Sequence, residues 1–348
     1  MIPSIGFDMD QCLVEAFNLV PFILFFETRL RGINLETQDI IKKSRDIFYD
    51  LVAAHEIASP TIFRPSLVKL IAELIREKKQ GKIKHMFIYS NNGYLQILNA
   101  IDHILALIIK KAPYSINDQD LVWEDGRQHV LTPRIYIDST CRVNTEPKVV
   151  NFREKSLAGI QSCLNETIPA EDLWFLDDSL QHTDLKTKLG NRYINVEAYK
   201  IHISNTTLAN FFIKSLPKRV FIQNMPLYTA LIPAINKVFI FENTVFYPTG
   251  KETHERLVEK FHEAMTKNEV FKPEIASRKW TKQKIETDYS SIKKLLPVLN
   301  SIHKTSRALY DKSYRTQDAN TPRLIYGGNP NSRRNRFRKL RTRRKNRK

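Results

Sequence analysis

Ser4-Ile5-Gly6-Phe7-Asp8-Met9-Asp10-Gln11-Cys12-Leu13-Val14 is the stretch on which the reading of this chain turns. Its apolar lead-in reads as a short buried strand, and it ends in two carboxylates one residue apart. Alternate side chains of a strand share a face, so Asp8 and Asp10 are expected to point the same way where the strand ends. Like charges held that close raise each other's pKa unless a cation sits between them. A hard divalent ion with oxygen ligands resolves the repulsion, and Mg²⁺ suits a site with few carboxylates, water and phosphate oxygens. Taken alone, Asp-x-Asp more often marks an acidic turn after a buried strand.

Two further apolar runs bear on that choice. Lys84-His85-Met86-Phe87-Ile88-Tyr89 reads as a strand that delivers Ser90-Asn91-Asn92 at its end. Asp172-Leu173-Trp174-Phe175-Leu176 is another, and it delivers Asp177-Asp178-Ser179. Segments with helical periodicity separate the three. In open α/β sheets ligands bind beyond the carboxyl ends of the strands, near the point where strand order reverses. The three polar strand ends are therefore expected to meet there.

The order Asp-x-Asp, Ser, Lys at a helix start, then Asp-Asp resembles the four motifs of the haloacid-dehalogenase-like (HAD) phosphatases. Asp8-Met9-Asp10-Gln11-Cys12-Leu13-Val14 is most similar to the form in the magnesium-dependent and C-terminal-domain protein phosphatases, with Cys12 standing where that branch usually has Thr or Val. The resemblance covers about the first 200 residues. It implies a Rossmannoid three-layer α/β sandwich with a parallel sheet, a helical insertion after the first strand, and a Mg²⁺-dependent phosphoric monoester hydrolase. Carried over, Asp8 is the nucleophile that forms an aspartyl-phosphate, and Asp10 the general acid and then base. Ser90, Asn91 and a lysine bind the phosphoryl group. Asp8, Asp10, Asp177 and Asp178 form the metal set, with Asp178 the direct later ligand and Asp177 acting through water or behind it. Lys155 is preferred for the lysine, because its helix leads by a short loop into the strand at 173–176. Lys148, in Glu146-Pro147-Lys148, is the rival.

Composition agrees with a packed enzyme core. The chain has 348 residues and is 42% hydrophobic, enough for a core with insertions or a second domain. Cys12, Cys141 and Cys163 make no CxxC pair, which predicts a reducing compartment, no bridge framework and no structural zinc. No basic leader precedes the first strand, so no signal peptide is expected. Phe22-Ile23-Leu24-Phe25-Phe26 falls far short of the ~20 residues of a spanning helix, so no membrane partner is expected. An intracellular protein, cytoplasmic or nuclear, follows from these readings.

Residues 1–200 are thus the expected core, with a helical insertion at about 16–62. Helices are expected over Leu35–Ala54, Leu67–Lys79 and 95–109, and further strands at Arg134–Asp138 and Arg192–Val196. The first helix either caps the site or packs beside the sheet. Residues 201–326 read as a mostly helical extension, with helices at 205–215 and 251–268 and a hairpin formed by Val238–Phe241 and Val245–Tyr247. Gly250-Lys251-Glu252-Thr253 is no P-loop, since Val245 occupies the earlier glycine position and Glu252 the Ser/Thr position.

Past the turn-rich linker Gly327–Ser332, the segment Arg333–Lys348 holds eleven Lys or Arg in sixteen residues and no acid. It carries +11 of the formal +18, leaving +7 for residues 1–332. Such a block repels itself, so an arm that neutralises nucleic-acid phosphates, or an address read in the nucleus, is expected. A merely solubilising tail is the plainer alternative. Basic tails of this kind on a HAD-like core are similar to those of large DNA virus proteins, which implies virion association. Two classes remain open: a Mg²⁺-dependent phosphatase of phosphoprotein or nucleic-acid ends, and an idle HAD-fold protein bound to nucleic acid.

Overall fold

Four-residue strand β1 (Ser4–Phe7) is the axis of the molecule, and all four of its residues are buried. The computed structural model describes residues 2–28, 35–136, 139, 154–220, 225–241, 246–271 and 280–296. After β1 come helices α1 (Val20–Glu27), α2 (Leu35–Ala58) and α3 (Pro65–Lys79), then strand β2 (Met86–Tyr89) and helix α4 (Leu95–Lys110). Strands β3 (Val122–Glu124) and β4 (Arg127–His129) pair as an antiparallel hairpin. Its two-residue turn, Asp125-Gly126, has both φ angles positive, as the twist of a tight hairpin requires. Strand β5 (Arg134–Ile135), helix α5 (Leu157–Leu164), strand β6 (Leu173–Asp177), helix α6 (Thr183–Leu189) and strand β7 (Tyr193–Asn195) complete the α/β part. Helices α7 (Asn205–Ser215), α8 (Met225–Val238), α9 (His254–Thr266) and α10 (Lys282–Lys294) follow.

The five-stranded sheet has the order β5-β2-β1-β6-β7, and its pairings are all parallel. The chain builds outward from β1 on one side, then crosses over to build on the other, so strand order reverses at β1. Phe87, Tyr89, Leu173 and Phe175 share one buried face with Ile160 of α5 and Leu185 and Leu189 of α6. On the other face Ile5, Phe7, Met86, Ile88 and Leu176 are fully buried too. A sheet covered on both sides explains near-continuous apolar strands in place of alternating ones. Gly6 pairs with Phe87 and Phe175 on its two neighbours. A Cβ there would lie 2.5–2.6 Å from those two rings, so only glycine lets them close over the central strand.

Helix ends follow local chemistry. Ser156, Ser204, Thr253 and Thr281 cap α5, α7, α9 and α10, each side chain accepting from a backbone N–H three residues on. α3 starts with Pro65 and ends with Arg76, Lys78 and Lys79, which suit the helix dipole.

The segments read as insertion and extension are packed into one another. Phe22 of α1 stacks on Phe48 of α2 and meets Phe212 of α7 edge-on, at 5.4 Å in each case. Phe212 in turn stacks on Phe261 of α9 at 4.9 Å. Met1–Ser301 forms one compact unit. The Phe22–Phe26 run is buried in this aromatic cluster as helix α1. Among the described residues no helix is long and apolar enough to cross a membrane.

Three expectations need correction. The first arm of the hairpin expected at 238–247 is not a strand: Val238 ends α8, Ile240 turns the chain at φ +54, and residues 242–245 lie outside the described residues. Phe239 and Phe241 are buried while Ile240 is half exposed, so alternating burial arises here without a strand. Strand β5 stops at Ile135, and Asp138 lies outside the described residues. Cys163 is disulfide-bonded, contrary to the expectation of no bridge, so the cysteines no longer argue for a reducing compartment. Lys148, the linker and the basic tail also lie outside the described residues.

Candidate active site

Parallel register brings the carboxyl ends of β1, β2 and β6 to one edge of the sheet. Asp8 directly follows β1, and its N–H donates to the Leu176 carbonyl of β6 at 2.8 Å. The chain then folds sharply: the N–H groups of Leu13 and Val14 both donate to the Met9 carbonyl, and that of Gln11 to Val14. Gln11 adopts φ +58, a left-handed conformation that costs energy in a residue other than glycine. Met9, Cys12, Leu13 and Val14 are wholly buried and anchor this turn. The Cys12 thiol donates to the Leu176 carbonyl at 3.5 Å, and burial pushes its pKa well up, so it serves as packing. Asp8 and Asp10 therefore reach the same cleft from a turn rather than a strand, with Asp8 buried and Asp10 exposed.

Lys155 is the pivot. Its ammonium lies 2.5 Å from Asp8 Oδ1 and 2.8 Å from Asp177 Oδ2, and the residue is 1% exposed. Tyr89, at the end of β2, accepts from the Ser156 N–H at 3.3 Å and so fixes the chain between this lysine and the start of α5. A Cβ on Gly159 would stand 2.9 Å from that same hydroxyl, so glycine permits the close approach. Asp177 Oδ2 meets Lys155, and its Oδ1 accepts from the Ser179 N–H at 2.8 Å. Burial pulls the Lys155 pKa down, but Asp8 and Asp177 together overcome it and hold the value above the ordinary one.

On the other lip Asp10 Oδ2 lies 3.4 Å from the Ser90 hydroxyl, which accepts from the Asn92 N–H at 2.9 Å. Asp8, Asp10, Asn91, Lys155 and Asp178 all line one cleft of about 540 Å³. Every sequence-assigned side chain is therefore in or against the cleft, except Lys148, which lies outside the described residues. Among the described residues α1 and α2 contribute nothing to its lining.

Carboxyl oxygens of Asp8, Asp177 and Asp178 all fall within 4.8 Å of one another. Burial, with Asp177 as a like charge, raises the pKa of Asp8 well above the ordinary range, against the pull of Lys155. The same two causes raise Asp178. Desolvation in the cleft pushes Asp10 up to about 6, against the pull of Lys155 and the Ser90 hydroxyl. Three crowded hard-oxygen donors against one ammonium fit a small divalent cation. The Asp10 carboxyl stands outside that group of three and turns toward Ser90.

His182 was not anticipated. It is 6% exposed, lines the cleft, accepts the Lys155 N–H on Nδ1 at 3.2 Å and places Nε2 3.7 Å from Asp177 Oδ2. Its only sequence signal is a lone histidine in the polar run after Asp177-Asp178. No protein-family model matches this chain, and neither a curated protein nor a solved structure matches it.

Proposed function

We propose that the chain is a Mg²⁺-dependent, HAD-like phosphatase that hydrolyses a phosphomonoester through an aspartyl-phosphate on Asp8. The observation that carries this reading is Lys155 clamped between Asp8 and Asp177 at the strand-order reversal, with Asp178 and Asp10 on the rim of the same cleft. Lys155 holds Asp8 in place and presents positive charge where a phosphoryl oxygen would arrive. An Asp8 oxygen attacks phosphorus, and the departing ester oxygen takes its proton from Asp10. A pKa of about 6 leaves Asp10 a protonated fraction near neutrality for that task. Asp10, now ionised, accepts a proton from water as the water oxygen attacks phosphorus. The P–O bond to Asp8 breaks, releasing phosphate and the free carboxylate. Ser90 and Asn91 orient the phosphoryl oxygens. Asp8 and Asp178, backed by Asp177, would hold Mg²⁺, which when bound neutralises charge on these carboxylates and on the phosphate.

The cleft receives no lining from α1 or α2 among the described residues, which supports a phosphoprotein or nucleic-acid end as substrate. The eleven cations of Arg333–Lys348 support nucleic acid as a partner. The test is hydrolysis of p-nitrophenyl phosphate. Turnover is expected with Mg²⁺ and is lost on chelation and in Asp8→Asn. Full activity in Asp8→Asn refutes the covalent mechanism. Wild-type inactivity on aryl phosphate, phosphopeptides and 3′-phosphorylated oligonucleotides, with Mg²⁺ still bound, leaves the idle nucleic-acid-binding scaffold as the better reading.

A further inference from the structure

Helix α10, more than 250 residues downstream of the Asp8–Val14 turn, is tied to the back of that turn by a buried ion pair. Arg64, directly before α3, is wholly buried. Its guanidinium donates to both Asp288 oxygens, from Nε at 2.8 Å and from an Nη at 2.6 Å, and the other Nη donates to the Glu197 carbonyl at 2.6 Å. Ser66 Oγ donates to Asp288 as well. The Arg64 backbone N–H meanwhile donates to the Leu13 carbonyl at 2.9 Å, inside the turn. A second route reaches the same place. The Trp280 ring lies 5.1 Å from the Arg64 guanidinium carbon and packs edge-on against Tyr199 at 5.3 Å. The Tyr199 N–H donates to the Gln11 carbonyl at 2.6 Å.

The two turn carbonyls are thus held by the two residues that the 280–288 segment clamps. The turn needs such support, because Gln11 sits at φ +58, and strained backbone persists only where its surroundings over-determine it. Arg64 in turn needs Asp288, since a buried guanidinium without its carboxylate is an uncompensated charge. Lys69 with Glu286 is a surface tie of α10, and Tyr289 and Lys293 both bind Glu73 of α3; neither Lys69 nor Glu73 donates to a carbonyl of the turn.

We infer that Asp288 is a positioning residue that acts through Arg64 to hold the turn carrying Asp8 and Asp10. For its turnover readout this rests on the phosphatase reading; for its structural readout it does not. The test uses the full-length chain with hydrogen–deuterium exchange and steady-state kinetics on p-nitrophenyl phosphate. Asp288→Ala should speed exchange at least tenfold in peptides spanning 8–15 and 61–66, with β2 and β6 still protected as in wild type. It should lower kcat at least tenfold with KM within twofold, because the reacting groups are displaced while the cleft persists. Asp288→Glu, which keeps the charge, should recover most of both effects, and Glu286→Gln on the same helix should change neither. If Asp288→Ala fails to fold, Asp288→Asn carries the same comparison, since it keeps the shape and loses the charge. Unchanged exchange in the turn overturns the inference, as does exchange that rises equally in β2 and β6. Absence of wild-type turnover, with turn-specific exchange still seen, removes the phosphatase reading and leaves the positioning role standing.

Discussion

Replacing Lys155 by methionine tests the centre of the site, because it removes one ammonium and nearly conserves shape. At 2.5 Å and 2.8 Å from Asp8 and Asp177, the Coulomb attraction is about 6–7 kcal/mol per pair at an effective dielectric of about 20. Desolvation of three buried charges cancels much of this. Losing one partner of a buried pair has a net cost of about 3–5 kcal/mol, because a charge is left uncompensated. Lys155→Met in EDTA should therefore lose about 3–5 kcal/mol of unfolding free energy in a urea titration. Millimolar Mg²⁺ should restore a good part of it, since a cation between Asp8, Asp177 and Asp178 takes over the neutralising role. Turnover should fall by about 10²–10³ even with Mg²⁺, the range for losing one donor that stabilises charge developing in the transition state. Lys148→Ala should leave turnover near normal. Wild-type stability of Lys155→Met in EDTA refutes the electrostatic argument. Turnover within threefold of wild type refutes the role of the ammonium in catalysis.

Two further outcomes are expected. Glu56 is buried at the end of α2, accepting from the N–H groups of Thr61, Ile62 and Phe63, yet burial outweighs these bonds and pushes it up to about 7. The fold favours its protonated form, so its contribution is full below about pH 4.5, where the unfolded chain is also protonated, and is lost as pH rises through about 7. That loss is about 3 kcal/mol, and Glu56→Gln should flatten the corresponding slope in urea titrations between pH 4.5 and 7; an unchanged slope removes Glu56 as its source. Arg333–Lys348 should bind duplex DNA with little sequence preference and a slope of log K against log salt of about −0.9 per phosphate neutralised. Its deletion should abolish that binding and spare turnover on a small aryl phosphate, whereas salt-insensitive binding argues for a structured site elsewhere.

The strands around the site were legible because each is a short apolar run with a polar end, and a sheet buried on both faces imposes that pattern. Helices α2, α3 and α4 were legible through periodicity, to within a few residues at their ends. Helix α8 was not, because Pro233 lies inside it and the alternating burial of Phe239, Ile240 and Phe241 mimics a strand. Lys155 was favoured over Lys148 from loop length, a local property, but its seat between Asp8 and Asp177 is a property of strand order. The sequence by itself determined where polar groups meet the strand ends: carboxylates and a serine stand where apolar runs stop, and that is written residue by residue along the chain. Only the tertiary structure decided which carboxylates converge, that Asp10 faces Ser90 in place of the Asp8–Asp177–Asp178 triad, and that His182 and Asp288 touch the site or its support. Those contacts join residues up to 224 positions apart, as Arg64 and Asp288 are, and no local pattern records them. They exist because parallel pairing aligns the strand ends and because a buried guanidinium must be met by a carboxylate from wherever the fold can supply one.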